Sequence, residues 1–315
     1  MILEDLLRKA LEEGYLVFTP VEGGSSFALV SEGDGVELSP IPETFNYSAA
    51  KAFSKVTRLG AIQKRTLLVL KPCEERALRE LVKLKQASLE NVITLGFDCL
   101  GFKDGDKVRP ACSTCSHPFP LSADVSCIRV GGEGLVPNTD AGKDLLAELG
   151  FQGGVKIDEG ARDQFLEDKQ KKREEMVEEF KQRFQGYDRL SESLKDCISC
   201  HNCMAVCPVC YCQECFFDSK AFDYEPYRYE KAVGKRGILE VPRDKYLFHM
   251  GRLAHMSTLC VACGLCEDAC PRDIELTMLF SVVSERVQQK FDYLPGSEDE
   301  LPLATYREDE FTELG

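Results

Sequence analysis

The sequence predicts an α/β (α+β) N-terminal domain built on a mixed sheet, followed by a mainly helical domain. Three observations predict it. Between Thr66 and Leu95, apolar runs of strand length flank a helical segment, the order a parallel crossover needs. A charge-dense stretch over 161–186 follows, long enough for a surface helix that bridges two halves. Cysteines are scattered before it, at 73, 99, 112, 115 and 127, and dense after it, over 197–215 and 260–270. The expected division is 1–160 for the α/β domain, 161–190 for the linking helix, 191–295 for the helical domain and 296–315 for an acidic tail.

Each element has a local reason. Ile2, Leu3, Leu6, Leu7, Ala10 and Leu11 recur at helical spacing and Gly14 stops the helix. Tyr15–Phe18 reads as a short strand ended by Pro20. Phe27–Val30, the turn Glu32-Gly-Asp-Gly35 and Val36–Leu38 read as a hairpin. Thr66–Leu70 is a buried strand, a helix runs from Cys73 to Lys85, and Val92–Leu95 is the next strand. In the long helix, Met176, Val177, Phe180 and Phe184 form one stripe. It lasts about two turns, which suits packing along one side better than a coiled coil. The tail from Gly296 is acidic and Pro-containing, and is expected to be loosely ordered.

Composition excludes several classes. Of 315 residues, 43% are apolar and 29% charged, a globular balance. A net charge of −14 argues against a nucleic-acid partner, since phosphate binding wants a basic surface. The longest apolar runs fall far short of the ~20 residues of a membrane span, so none is expected. Met1-Ile-Leu-Glu-Asp has no basic region before an apolar one, so no secretory signal is expected and the chain is placed in a reducing cytoplasm. Sixteen cysteines kept reduced there point to metal ligation.

Two segments repeat one spacing, C-x2-C-x2-C-x3-C-P: Cys197, Cys200, Cys203, Cys207 with Pro208, and Cys260, Cys263, Cys266, Cys270 with Pro271. This is the bacterial ferredoxin run for [4Fe–4S] clusters, in which the fourth cysteine serves the other cluster. One cluster should therefore use Cys197, Cys200, Cys203 and Cys270, and the other Cys260, Cys263, Cys266 and Cys207. Zinc is normally served by paired C-x2-C rather than by a triple plus a fourth. The 52 residues between Cys207 and Cys260 exceed what a minimal ferredoxin needs. With helical segments on either side, they resemble the helical dicluster ferredoxin domains of heterodisulfide reductase and succinate dehydrogenase iron–sulfur subunits.

In the first half, Cys73 and Cys99 follow predicted strands, and Cys112 and Cys115 form a C-x2-C loop. Loops at strand ends are where α/β folds place their sites; a metal site and buried free thiols both fit. Leu70-Lys-Pro-Cys73-Glu-Glu-Arg-Ala-Leu-Arg79, Ile93-Thr-Leu-Gly-Phe-Asp-Cys99, Cys112-Ser-Thr-Cys115, Ser122-Ala-Asp-Val-Ser126 with Val130-Gly131, and Asn138-Thr-Asp-Ala-Gly142 ahead of the long helix all follow one order. Over roughly 1–185 this resembles the beta-subunit family of coenzyme F-420 (deazaflavin) hydrogenases and dehydrogenases, formate dehydrogenases included. The resemblance implies a third [4Fe–4S] cluster on Cys73, Cys99, Cys112 and Cys115. It also implies FAD in some members, beside a Gly-Gly loop ahead of the first helix. This sequence opens at that helix, and Gly23-Gly24 comes after the first strand, so flavin binding is expected to be weak or to need a partner's surface.

Other residues stay open. Cys210, Cys212 and Cys215 read as alternative cluster ligands, as a fourth metal site with Cys127, or as packing. His117 and His201, beside ligand cysteines, either tune a cluster by hydrogen bonding or face solvent. Gly131-Gly-Glu-Gly134 reads as a turn, and no catalytic Ser/His/Asp set stands out. The leading reading is an electron-transfer subunit whose redox partner is a formate dehydrogenase catalytic subunit, a hydrogenase or a heterodisulfide-reductase-type flavoprotein. The alternative is a flavin-dependent oxidoreductase of the deazaflavin itself, with clusters as the electron outlet.

Overall fold

A computed structural model of the chain describes residues 2–21, 26–33, 35–42 and 47–297. Gly23-Gly24, Asp34 of the expected turn and nearly all of the expected acidic tail lie outside the described residues. The first half comprises α1 (Ile2–Glu12), β1 (Leu16–Pro20), β2 (Phe27–Val30), α2 (Ala49–Thr57), β3 (Thr66–Leu70), α3 (Pro72–Lys83), β4 (Val92–Phe97), β5 (Lys103–Asp104), β6 (Lys107–Val108), α4 (Pro110–Ser113), β7 (Val125–Ile128), β8 (Gly134–Pro137) and α5 (Asp140–Glu148). The long α6 (Glu159–Phe184) leads to α7 (Tyr187–Ser193), α8 (Asn202–Ala205), α9 (Pro226–Arg236), α10 (Lys245–Met256), α11 (Leu265–Asp268) and α12 (Leu276–Lys290). A mixed α/β half is followed by a mainly helical one, as the sequence predicts.

The main sheet has the order β2-β1-β3-β4-β7-β8. Its four inner strands run parallel, and β2 and β8 are antiparallel edges. Side chains of a strand alternate between faces, and β3 shows it. Leu67 and Val69 join a core with Leu3, Leu6 and Leu7 of α1 and Leu145 and Leu146 of α5. Leu68 and Leu70 join Phe53 of α2 and Leu78 of α3 on the other face. That second core continues into Phe248, Leu276, Leu279 and Phe280, so the helical half packs on the sheet's second face without a break.

One local expectation is corrected. The hairpin of Phe27–Val30 with Val36–Leu38 does not form. Instead β2 pairs with β1, from Val17 opposite Val30 to Pro20 opposite Phe27, and Leu38 makes a lone bridge to Val21. Two isolated strands are marginal, whereas an added edge extends an existing sheet. Pro20 is the last residue of β1, as expected. The ladder to β3 stops at Phe18, so the missing N–H removes no bond on that side.

Three contacts fasten the halves together. The stripe of α6, Met176 with Val177, Phe180 and Phe184, packs on Met278 and Val282 of α12. Tyr293 donates its hydroxyl to both oxygens of the fully buried Glu80 at 2.8 Å, and the Gly296 N–H adds 2.7 Å. At Gly264 the backbone has φ +78° and a Cβ would collide with Ala111 of α4. Gly264→Ala is therefore expected to destabilise the chain by about 1–3 kcal/mol beyond the strain of its φ. Gly237→Ala is the control, with the same φ of +78° and open space around it. Denaturant unfolding of both variants under nitrogen checks this; equal losses would show that the Ala111 contact is immaterial.

Candidate functional site

Cys197, Cys200 and Cys203 line one cavity together with Cys270. Cys260, Cys263 and Cys266 line another with Cys207. The fourth cysteine of each motif thus stands with the first three of the other. Both loops fold alike. Ser199 (φ 50°) and His201 (φ 58°) are left-handed in the first, Ala262 (φ 55°) and Gly264 (φ 78°) in the second. Each loop then enters a single-turn helix, α8 or α11. Left-handed backbone costs a non-glycine residue about 1–2 kcal/mol. Here it aims the Ser199 N–H at Cys197 Sγ and the Ala262 N–H at Cys260 Sγ, each at 3.4 Å.

The first-half cysteines also converge. Parallel β3 and β4 are neighbours, so Cys73 and Cys99 both follow carboxyl ends at one edge of the sheet. Cys112 on α4 and Cys115 just beyond it complete the set, and all four line one cavity. Buried carboxylates pin each loop. Glu74 accepts from the N–H groups of Ala49 (2.6 Å) and Lys71 (3.1 Å). Glu75 holds the Leu121 N–H and the Ser122 hydroxyl, and Asp98 holds the N–H groups of Arg129 and Val130. Cys263 and Ala262 stand in this cavity's wall as well as in the second motif's; the two cavities adjoin.

Cations are buried among the thiols. Lys71, Arg109 and Lys169 line the first-half cavity and Arg76 lies beside Cys115 and Cys73; all four are at most 7% exposed. Lys169 donates to the Cys112 carbonyl at 2.7 Å, and Arg109 pairs with Asp268 of α11. Arg252 of α10 faces Cys203, Cys207 and Cys266. Burial pushes the Cys99 and Cys203 thiols up to about 11 and Cys263 to about 12, and the cations pull the other way. Ligation needs thiolates, so these cations favour the charged form that burial opposes.

Among residues left open by the sequence, Cys127 lies on β7 and faces the first core, whereas Cys210 and Cys215 pack in the second and Cys212 is exposed. They sit on opposite faces of the sheet, so a fourth site combining them with Cys127 does not form. Cys215 Sγ instead approaches Met204 Sδ at 3.4 Å. His201 is half-buried rather than solvent-facing. Its Nδ1 meets Asp218 at 2.6 Å and its ring stacks on Phe248. His117 is half-buried, and burial and then Arg76 push it down to about 4. Sequence reasoning missed His249, whose Nε2 lies 3.3 Å from Cys197 Sγ. It missed Arg252 too, although a cation between Phe248 and Met256 at spacing four was a visible signal on α10.

The donor sets fit iron–sulfur clusters better than single ions. Thiolates on one zinc stand about 3.8 Å apart, given Zn–S bonds of about 2.3 Å. Among the described residues no three His, Cys, Asp or Glu converge tightly enough to hold one ion. Each set of four thiols instead lines a shared cavity between its loops. An α/β half joined to a helical half with paired four-thiol loops defines an iron–sulfur protein. The 4Fe-4S dicluster domain family matches residues 193–274. The chain is 24% identical over 317 residues to the F420-dependent formate dehydrogenase subunit beta of Methanocaldococcus jannaschii, covering 81% of this chain and 80% of that protein. It is 26% identical over 303 residues to the F420-dependent formate dehydrogenase 1 subunit beta of Methanococcus maripaludis, covering 75% and 74%. It is thus a distant relative of these beta subunits. No helix among the described residues is long and apolar enough to cross a membrane.

Thiol chemistry gives a test of this placement. A thiol at about 11 is ionised to about one part in a thousand at pH 8. In the metal-free chain, exposed Cys200 and Cys212 should alkylate well ahead of buried Cys127 and Cys203. Peptide mass spectrometry after timed iodoacetamide pulses reads the order, and early labelling of Cys203 would contradict it.

Proposed function

We propose that this chain is the electron-transferring iron–sulfur subunit of a soluble oxidoreductase complex of the formate dehydrogenase, hydrogenase or heterodisulfide reductase type, working in a reducing cytoplasm. The observation that carries the reading is the crossing of Cys207 and Cys270 into each other's cavities, with a third four-cysteine cavity adjoining at Cys263. A [4Fe–4S] cubane held by four thiolates supplies a reversible one-electron site. Cys73, Cys99, Cys112 and Cys115 would hold one, Cys207, Cys260, Cys263 and Cys266 the second, and Cys197, Cys200, Cys203 and Cys270 the third.

The chain's own residues set the conditions for that chemistry. Nearly fully buried Phe248 and Leu276 wall the cavity of Cys197, and Phe280 walls that of Cys260. Buried Lys71, Arg76, Arg109, Lys169 and Arg252 offset negative charge where water cannot. The cavity of Cys197 differs from the others, because Cys200 and Pro271 are exposed and Ile198 is 55% exposed at its rim. A small apolar rim of this kind suits a redox partner protein, so this cavity is the one offered for docking.

A second reading has its own support. The likeness to F420-dependent beta subunits covers 75–81% of the chain, so it reaches well into the α/β half. The chain would then exchange hydride with the deazaflavin through FAD. Acid extraction separates the two: released flavin favours the second reading, and its lack in a fully iron-loaded protein favours the first.

Anaerobic reconstitution should load about twelve irons per chain, three cubanes of four. Saturation at about eight, unchanged in Cys73→Ser, would remove the first-half cluster. Cys207→Ser should abolish the signal of the cluster on Cys260, Cys263 and Cys266 and spare the one on Cys197, Cys200 and Cys203. The reverse in paramagnetic resonance of the reduced protein would mean that the motifs are not crossed.

A further inference from the structure

Arg252 carries charge into a place where protein usually keeps none. It is 3% exposed. Among the described residues it makes no ion pair with a carboxylate, and its Nε and Nη1 are buried without a hydrogen-bond partner. Its guanidinium carbon sits 4.4 Å from the centre of the Phe280 ring. The charges it meets are cysteines, and from both crossed sets: Cys203 from one, Cys207 and Cys266 from the other. The crossing brings them together, because Cys207 leaves its own motif for the second cavity. Helix α10 supplies the geometry by running past both cavities. Phe248 lines the first, and Arg252 and Met256, one and two turns on, line the second.

We propose that Arg252 is a shared counter-ion for the two crossed clusters, raising the reduction potential of both. The inference rests on the reading that these cavities hold [4Fe–4S] clusters. With its four thiolates each oxidised cluster carries −2 and takes one electron to reach −3; no bond is made or broken. A fixed positive charge attracts −3 more than −2, so it favours the reduced form, and low dielectric strengthens the effect. Guanidinium stays protonated throughout, so no proton accompanies the electron. The first-half cluster has its own cations in Lys71, Arg76, Arg109 and Lys169, and Cys73, Cys99, Cys112 and Cys115 are not among the groups Arg252 meets most strongly.

Reconstituted parent, Arg252→Met and Arg252→Lys are titrated with dithionite under nitrogen, and each cluster is followed by paramagnetic resonance. Arg252→Met should lower the reduced-to-oxidised ratio of both C-terminal clusters at least tenfold at a fixed solution potential, about 59 mV for one electron. The first-half cluster should hold its ratio and serve as internal reference. Arg252→Lys keeps the charge and should recover most of the loss. An unchanged ratio in either C-terminal cluster, or an equal shift in all three, overturns the proposal. Should Arg252→Met fail to retain iron, retention by Arg252→Lys upholds the need for charge, and equal loss in both variants overturns it. A parent lacking two interacting C-terminal clusters would sink the underlying reading, a result distinct from unshifted potentials.

Discussion

Sulfur ligands become anions when they bind iron, and anions can be buried only beside compensating cations. The joining of the two halves follows from that constraint. Arg109 leaves the first-half cavity to pair with Asp268 of α11 and to reach the Cys263 carbonyl. Lys51 of α2 donates to the carbonyls of Cys207 and Cys210. Lys169 and Arg173, one turn apart on α6, bond to different halves, one to the Cys112 carbonyl and the other to Ser281 and Glu285 of α12. Each of these ties spans a long stretch of sequence, and those of Arg109, Lys51 and Lys169 end at or beside cysteine-bearing segments. Hydrophobic burial adds bulk to the interface; the cations decide its register.

The crossed cysteines act the same way within the helical half. Cys207 and Cys270 each close the other motif's cavity, so neither loop is complete alone. The matched backbones of Ser199 and His201 with Ala262 and Gly264 give the pair an internal near-symmetry. It breaks where the surroundings differ. Gly264 lies under Ala111, where a side chain would not fit. His201 has room for a ring that stacks on Phe248 and meets Asp218. The second motif therefore faces the α/β half, and the first carries the exposed rim of Ile198, Cys200 and Pro271.

Much of this was legible in the sequence, for physical reasons. The spacing of Cys197–Cys207 and Cys260–Cys270 is dictated by ligand geometry, and the crossing comes with it. Buried strands such as Thr66–Leu70 announce themselves by continuous apolar residues. The hairpin expectation failed because strand pairing is a tertiary choice: β2 found a better partner in β1 than in Val36–Leu38. Arg109, Lys169 and Arg252 read as surface residues because long cations usually are, and what buries them lies far along the chain. The pinning carboxylates Glu75 and Asp98 were hidden for the same reason, since their partners lie 31 to 47 residues further on.

The central claim is that three sets of four cysteines, one of them in the α/β half, each surround a cluster. Diffraction at the iron edge from crystals grown under nitrogen tests it most directly. The account predicts three strong anomalous peaks. One lies among the sulfurs of Cys73, Cys99, Cys112 and Cys115, one among Cys207, Cys260, Cys263 and Cys266, and one among Cys197, Cys200, Cys203 and Cys270. Two peaks with the first-half cysteines bare, or Cys207 bound to the cluster of its own motif, would contradict it.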